Sequence, residues 1–271
     1  IITSMDDAVS SISACLEKAE RVTGVQVSRV WVGISGTHVS SQSSRGVVAV
    51  AKPNGEISDA DVERAIEAAR TVATPPNYEI LHVIPKSFVV DGQSGIRDPI
   101  GMTGVRLEVD AQIIQGLSSQ VKNLAKAIGR ARLNIEDLVL SILATSEAVL
   151  TPRSKQLGAA VVNLGGATTS LAVFEEGDLL HTAILPVGAE HITSDIAIGL
   201  RISIDAAEKI KLEGGTALPK DISKREEIDL GAAGGPGANA VSKRYIGEII
   251  EARVEEIIDK VDAELKKVGR S

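Results

Sequence analysis

Apolar residues recur along this chain with the periods of helices and strands, and polar or glycine-rich segments separate the patterned stretches. Residues 4–23 place an apolar side chain every three or four positions, which predicts an amphipathic helix that Gly24 ends. Residues 27–34 are almost continuously apolar, as in a strand that is buried on both faces. Residues 241–268 carry an apolar stripe that predicts one long helix.

The region 37–110 has a strand-strand-helix-strand-strand pattern of its own. Ser58 is placed to cap its helix, and apolar runs lie on both sides of that helix. This compact pattern predicts an inserted module. After it, Asp110 stands where a helix cap is expected, and apolar residues from Ile113 to Ile128 follow the helical period. We therefore predict a helix that starts directly after the module.

A change of pattern follows the middle of the chain. A buried strand is predicted at residues 138–142 and a short helix at 146–150. Three strands then come in close succession, at 159–164, 171–175 and 179–185.

Turn and loop signals divide the rest of the chain. The sequence Glu176-Gly177-Asp178 between two apolar runs predicts a hairpin. Two helices are predicted at residues 193–200 and 203–212. The Gly-, Ala- and Pro-rich residues 231–238 predict a surface loop.

Composition narrows the class of function. The chain has 271 residues, more than one compact core usually holds, so we predict two or three domains. Its net charge of -7 argues against nucleic acid as the main partner. The single cysteine, Cys15, leaves no intrachain disulfide and fits a cytosolic protein. No apolar run approaches the roughly 20 residues of a membrane-spanning helix.

The segment 163–170 is the part of the chain best suited to binding chemistry. Its glycines, Gly165 and Gly166, permit backbone angles that turn successive N–H groups toward one point, and such a nest binds an anion. Thr168 and Thr169 add hydroxyl groups at the same bend. The glycines lead into a strand and not into a helix, unlike the common phosphate and dinucleotide loops. A tight hairpin turn would explain the glycines equally well if they stood alone.

Several stretches resemble one known family. Residues 161–197 read VVNLGGATTSLAVFEEGDLLHTAILPVGAEHITSDIA, similar to the second phosphate loop of the actin, Hsp70 and sugar-kinase superfamily in its FtsA form. Residues 206–218 read AAEKIKLEGGTAL, similar to the segment that this superfamily places beside the nucleotide ribose. The stretches 80–109, ILHVIPKSFVVDGQSGIRDPIGMTGVRLEV, and 143–152, LATSEAVLTP, also resemble the FtsA family.

The resemblance implies an ATP site. The bend would hold the β- and γ-phosphates through Gly165, Gly166, Thr168 and Thr169. Glu208 and Lys211 would contact the ribose and base, and their spacing puts them on one helix face. A solvated face of an ordinary helix would show the same pair. Glu147 matches the position that orients the attacking water in actin-like ATPases, although an acid in the first turn of a helix is the competing interpretation.

Departures from the family pattern bear on catalysis. Asn163 stands where most of the superfamily has the aspartate that helps to hold hydrated Mg²⁺, so its contact with the metal would run through water and would add no charge. Ala167 replaces a glycine, and Ser170 replaces a frequent acidic residue. These changes fit a protein that binds ATP and hydrolyses it slowly or not at all. His181 and His191 have no accompanying ligand set, and we expect ordinary surface or strand-end positions for both.

The fold that the resemblance implies is α/β, actin-like (ribonuclease H-like) and two-lobed, with an inserted small α+β subdomain and with both ends incomplete. Residues 1–36 and 111–158 would form part of the first lobe, 37–110 the inserted subdomain, and 159–271 part of the second lobe with its helical subdomain. The first phosphate loop would precede residue 1. The adenine-binding loop and a membrane-targeting amphipathic helix would follow residue 271.

The function that the resemblance implies is that of a cell-division adaptor. Such a protein would bind ATP with Mg²⁺, polymerise into filaments, and link the FtsZ ring to the inner face of the cell membrane at the division site. It would be cytoplasmic and peripheral to that membrane. Its inserted subdomain would contact other division proteins, and its FtsZ-binding surface would lie near residues 213–271. Two alternatives stay open: an actin-like scaffold of the pilus-assembly type, and an authentic ATPase or kinase of the actin fold.

Overall fold

A computed structural model of the chain describes residues 2–71, 74–223, 225–231 and 240–270. The described chain divides into two compact units. The first unit contains the residues up to 161 together with 172–184, and the second contains 162–171 and the residues from 185 onward. The loop predicted at 231–238 lies outside the described residues, apart from Gly231.

The described residues form both helices and strands. The helices are α1 (Met5–Thr23), α2 (Asp59–Arg70), α3 (Ser118–Arg130), α4 (Ser141–Val149), α5 (Pro152–Leu157), α6 (Ala189–Leu200), α7 (Ile204–Gly214) and α8 (Lys243–Lys267), with a 3₁₀ turn at Pro219–Asp221. The strands are β1 (Arg29–Ile34), β2 (Val39–Ala49), β3 (Tyr78–Val90), β4 (Gln93–Ile96), β5 (Arg106–Leu117), β6 (Asn134–Leu140), β7 (Ala159–Leu164), β8 (Thr169–Glu175), β9 (Asp178–Leu185), β10 (Glu227–Asp229) and β11 (Ala240–Ser242).

The four-stranded sheet of the first unit has the order β2-β5-β3-β4. Its central strand β5 runs antiparallel to both β2 and β3. Helix α2 packs on one face, where Ala65 and Ala69 meet Leu107 and Val109 in a buried cluster. The helix predicted for region 37–110 is therefore present, but the predicted strand order is wrong: one strand, β2, precedes this helix, and β3, β4 and the start of β5 follow it.

The predicted helix that starts at Asp110 is wrong over its first part. Strand β5 continues through these residues to Leu117, and α3 begins only at Ser118. Asp110 is paired with Arg45 of β2 and with Ser87 of β3. The strand lies between two partners and is buried on both faces, so its near-continuous apolar residues imitate a helical stripe.

A second sheet of the first unit pairs β1 with β6 in parallel. Helices α1 and α3 contribute to its hydrophobic cluster, in which Val32, Ile128 and Leu133 are buried. Helix α1 begins after Ser4, whose hydroxyl accepts a hydrogen bond from the Asp7 amide, and ends at a left-handed Gly24, as predicted.

Helix α4 begins at Ser141, five residues before the predicted start. Glu147 therefore lies in the last turn of α4 and not in the first. The interpretation of Glu147 as an acid that stabilises a helix N-terminus is wrong, because the dipole near the C-terminal end of a helix disfavours negative charge.

The strands β7, β8 and β9 follow one another in the third sheet, in that order. The predicted hairpin turn between β8 and β9 is confirmed: Glu176 and Gly177 both have positive φ, 54° and 93°. In the second unit, α6, α7 and α8 share a core that contains Ile196, Ile210 and Ile246. Among the described residues, no helix has both the length and the apolar character needed to cross a bilayer.

Candidate functional site

The glycine bend joins β7 to β8 within the second unit. Asn163 is the fifth residue of β7, and its side chain is exposed. The Gly165 amide donates a hydrogen bond of 2.9 Å to the Thr168 carbonyl, which closes the bend. Gly166 and Ala167 at its tip are exposed. The bend therefore presents backbone, with little side-chain cover, to solvent.

The first turn of helix α6 is hydrogen-bonded to this bend. The amides of Ala189 and Glu190, the first two residues of the helix, donate hydrogen bonds of 2.9 Å to the carbonyls of Gly165 and Gly166. These donors lack a partner within their own helix, as at every helix start, so the bend carbonyls satisfy them. The two amides fix the bend and are not available to a phosphate group.

Gly188 makes this close approach possible, and sequence reasoning missed it. A Cβ atom at this position would lie 2.4 Å from both the Gly165 and the Gly166 carbonyl oxygen. The Gly188 amide donates to Nδ1 of His191 at 3.1 Å. His191, expected to be an ordinary surface residue, is thus part of the helix start. No local pattern distinguishes Gly188 from other glycines, because its neighbours lie more than twenty residues earlier in the chain.

Gly166 faces the carboxylate of Glu190. A Cβ atom on Gly166 would lie 2.7 Å from Oε1 of Glu190, so a larger residue at this position would require the Glu190 side chain to move. Glu190 was not among the predicted site residues, because this helix was predicted to begin only at residue 193, whereas α6 begins at Ala189.

The two threonines of the bend differ. Thr168 is half-buried. Thr169 is completely buried, and its hydroxyl donates a hydrogen bond of 2.8 Å to the Val187 carbonyl. Ser170, which follows it, is buried as well. Thr169 therefore uses its hydroxyl to fasten β8 to the segment before α6, while Thr168 keeps an accessible position in the bend.

Glu208 and Lys211, the predicted nucleoside contacts, lie together on α7 and bind each other. The Lys211 ammonium is 2.6 Å from Oε2 of Glu208, and the Thr193 hydroxyl donates to the same carboxylate oxygen at 2.5 Å. Lys211 also donates to the Thr193 oxygen at 2.8 Å. The Lys211 ammonium and the Thr193 hydroxyl lower the pKa of Glu208 below its usual range. Sequence reasoning missed Thr193, whose signal is a polar residue on an otherwise apolar face of α6.

Glu147 lies in the first unit, on α4. Its carboxylate is 2.5 Å from the Lys155 ammonium, and its side chain is 74% exposed. Lys155 is much less exposed, at 14%, and lies over the Phe174 ring with its nitrogen 5.1 Å from the ring centre. Glu147 therefore has a positioned cationic partner in its own unit, and its catalytic role stays a prediction.

A preformed metal cage is not part of this arrangement. No group of three or more His, Cys, Asp or Glu side chains is placed to hold a metal ion in the described ranges. Mg²⁺ commonly binds proteins through few ligands and keeps water and phosphate oxygens in its shell. The exposed amide of Asn163 fits such a water-mediated contact, and the predicted Mg²⁺ would arrive with the phosphates.

Two family models match the chain. One is described as the SHS2 domain inserted in FtsA and covers residues 36–115, and the other is described as cell division protein FtsA and covers residues 160–270. The cell division protein FtsA of Pseudomonas aeruginosa is 35% identical over 99% of this chain, and that of Bacillus subtilis is 40% identical over 99%. The chain belongs to the FtsA family. It spans 64% and 61% of the length of these two relatives.

A solved structure supports the fold of this FtsA-family chain. The PilM-PilN type IV pilus biogenesis complex matches with a TM-score of 0.65 and 16% identity, over 98% of this chain and 65% of that one. At this identity the likeness concerns the fold alone. The predicted fold class is confirmed: the chain is α/β and actin-like and carries the inserted domain of FtsA.

Proposed function

We propose that this FtsA-family chain is the ATP-binding core of a cell-division adaptor. The observation that carries the proposal is the bend between β7 and β8, whose carbonyls are fastened by α6 and whose tip is bare backbone. A bend fixed in this way presents its remaining amides in one orientation before a ligand arrives, which reduces the ordering cost of binding an anion.

The proposed site divides into a phosphate part and a nucleoside part. Gly166 and Thr168 contact the β- and γ-phosphates, Gly165 closes the bend with its amide, and the Thr169 hydroxyl holds the bend in place from inside the fold. The Glu208 carboxylate accepts from a ribose hydroxyl, and the ammonium of Lys211 lies beside the base and ribose. Both charged groups are on one face of α7 and close to each other, which supports a shared ligand.

ATP acts in this proposal mainly as a structural ligand and switch. Asn163 would contribute no negative charge toward Mg²⁺, so the protein would hold the metal weakly and hydrolysis would be slow. Glu147 is the proposed orienting residue for the attacking water. Rapid phosphate release by the full-length protein with Mg-ATP would contradict the adaptor role and favour the authentic ATPase.

The proposed partners follow from the family. The relatives are named cell division proteins, which supports a role at the division site. We propose that the full-length protein forms filaments with itself, binds FtsZ through the region 213–271, and attaches to the inner face of the membrane. The inserted subdomain at 37–110 contacts other division proteins in this proposal, and the family match over 36–115 supports the presence of that subdomain. The remaining proposed parts are the first lobe, 1–36 with 111–158, and the second lobe, 159–271.

Nucleotide binding is tested with Gly166→Asp in the full-length protein. The new carboxylate would stand beside Glu190 and in the phosphate position, so we expect ATP binding to be lost. Gly129→Asp is the matched control, since a Cβ atom at Gly129 on α3 meets nothing within 4 Å. ATP affinity measured by calorimetry should be normal in the control. Equal affinity in both variants would reduce the bend to a simple turn.

The partner proposal is tested by sedimentation. Full-length protein with ATP should co-pellet with FtsZ polymers and should float with vesicles made of bacterial lipids. Failure to co-pellet with FtsZ would favour the pilus-assembly type of scaffold, whose fold is similar.

A further inference from the structure

Thr193 lies where α6 meets α7, and only 3% of the residue is exposed. Its hydroxyl donates to Oε2 of Glu208 at 2.5 Å and accepts from Lys211 at 2.8 Å. One hydroxyl has one donor and two acceptor sites, so it can serve both charged groups at once. Thr193, Glu208 and Lys211 therefore form a hydrogen-bonded network. Thr193 is its short, buried member, whereas Glu208 and Lys211 have long, flexible side chains.

The same helix holds the bend. Ala189 and Glu190, in the first turn of α6, donate to the bend carbonyls, and Thr193 follows one turn later. A helix is stiff over so short a distance because each turn is hydrogen-bonded to the next. One helix of 12 residues thus carries both the fastening of the bend and the fastening of Glu208 and Lys211.

We propose that Thr193 is the positioning residue of the nucleoside half of the ATP site, acting through Glu208 and Lys211, and that α6 sets this half relative to the phosphate bend. The inference rests on the proposed function. Thr193 does not touch the nucleotide. It holds the Glu208 carboxylate and the Lys211 ammonium in one arrangement before the ribose and base arrive, so less side-chain freedom is lost on binding.

The alternative is a threonine that serves only the packing of α6 against α7. Valine has nearly the same shape and would preserve that packing, whereas it would leave Glu208 and Lys211 without their shared hydroxyl. Serine would keep the hydroxyl but lack the methyl group that packs between α6 and α7. Comparing the two variants therefore separates hydrogen bonding from shape.

The experiment uses full-length Thr193→Val and Thr193→Ser, with Ser194→Ala as the matched control. The Ser194 hydroxyl donates a hydrogen bond of 2.9 Å to the Glu190 carbonyl of its own helix, and this contact is exposed. Affinities for ATP and for inorganic tripolyphosphate are measured by displacement of a fluorescent ATP analogue. We expect Thr193→Val to weaken ATP binding by about tenfold and tripolyphosphate binding by less than about twofold. Thr193→Ser and Ser194→Ala should stay near the unmodified protein.

Three results would overturn the inference. These are unchanged ATP affinity in Thr193→Val, an equal loss for ATP and tripolyphosphate, and failure of Thr193→Ser to recover ATP affinity. A further test adds Thr193→Val to Lys211→Met: if Thr193 acts through its network, it should weaken ATP binding much less in the Lys211→Met protein than in the unmodified protein, whereas additive losses contradict it. If the unmodified protein binds neither ligand, the proposed ATP site itself is wrong, which is a distinct outcome.

Discussion

Replacing Gly188 with alanine adds one methyl group at the point where α6 meets the bend. The new Cβ atom would lie 2.4 Å from two carbonyl oxygens, and such contacts essentially never fall under 3.0 Å. The bend and the helix start must therefore separate by about 0.6 Å. Gly188 has φ of -163°, an extended conformation open to any residue, so the cost is one of contact and not of backbone strain.

The displacement acts on two hydrogen bonds. The amides of Ala189 and Glu190 lie 2.9 Å from the bend carbonyls, and a shift of this size would move them to the limit of hydrogen bonding. At about 0.5–1.5 kcal/mol for each bond, the local loss is about 1–3 kcal/mol. This corresponds to amide hydrogen exchange that is about 5- to 150-fold faster at the two positions. ATP affinity should also fall, because the bend would be less well ordered before ATP binds.

Hydrogen exchange followed by NMR or mass spectrometry measures this directly. Gly129→Ala is the matched control, because the same methyl group at α3 meets no atom within 4 Å and alanine favours a helix. The control should exchange normally at Ala189 and Glu190. If Gly188→Ala left both exchange and ATP affinity unchanged, the fastening of the bend by α6 would not exist in solution.

Three further predictions concern other parts of the chain. Asp61→Asn should lower the free energy of unfolding in urea by about 2 kcal/mol at pH 7, since this fully buried carboxylate accepts hydrogen bonds at the start of α2. Hydrogen bonds from the hydroxyl and the amide of Ser58 hold the pKa of Asp61 below its ordinary 3.8, so the difference should be full above about pH 4 and should vanish as the pH falls further. Arg253→Lys should lower the melting temperature by about 2–4 °C, because lysine cannot keep both bonds, of 2.6 and 3.0 Å, to the carboxylate of Asp195. Glu147→Ala should leave ATP affinity unchanged and slow phosphate release by about tenfold or more, measured with a phosphate sensor.

Each of these predictions has its own contradicting result. If the unmodified protein and Asp61→Asn differed in free energy of unfolding by the same amount at every pH, the Asp61 carboxylate could not be the source of the difference. Lys266→Gln is the control for Arg253→Lys. It removes the exposed ion pair between Lys266 and Asp262, which should contribute less than about 1 kcal/mol to the free energy of unfolding. An equal change in both melting temperatures would contradict the bidentate contact. A loss of ATP affinity without a change in phosphate release would remove Glu147 from the catalytic role.

The sequence predicted helices, strands and turns best where neighbouring residues determine them. Helix α1 was predicted at residues 4–23 because its apolar period and the glycine that ends it are features of neighbouring residues. The turn at Glu176 and Gly177 depends in the same way on residues next to each other. Strand β5 was missed in its second half because its character comes from two partner strands that are distant in sequence.

The candidate site divides along the same line. Gly165 and Gly166 were predicted as site residues because the stretches around them resemble the phosphate loop of the FtsA family, whereas the glycine pair alone also fits a hairpin turn. Thr193 and Gly188 were missed. Gly188 is important because the carbonyls of the bend approach it closely. Thr193 is important because two charged side chains of α7 bind its hydroxyl.

The sequence by itself therefore determined the family and the actin-like fold class, through its resemblance to the FtsA family over long stretches. The same resemblance predicted the phosphate bend and the pair Glu208 and Lys211 as site residues. Only the tertiary structure decided that α6 fastens the bend and that the Thr169 hydroxyl turns inward. These facts depend on distances of a few ångströms between segments far apart in the chain, and no local preference of a residue encodes them.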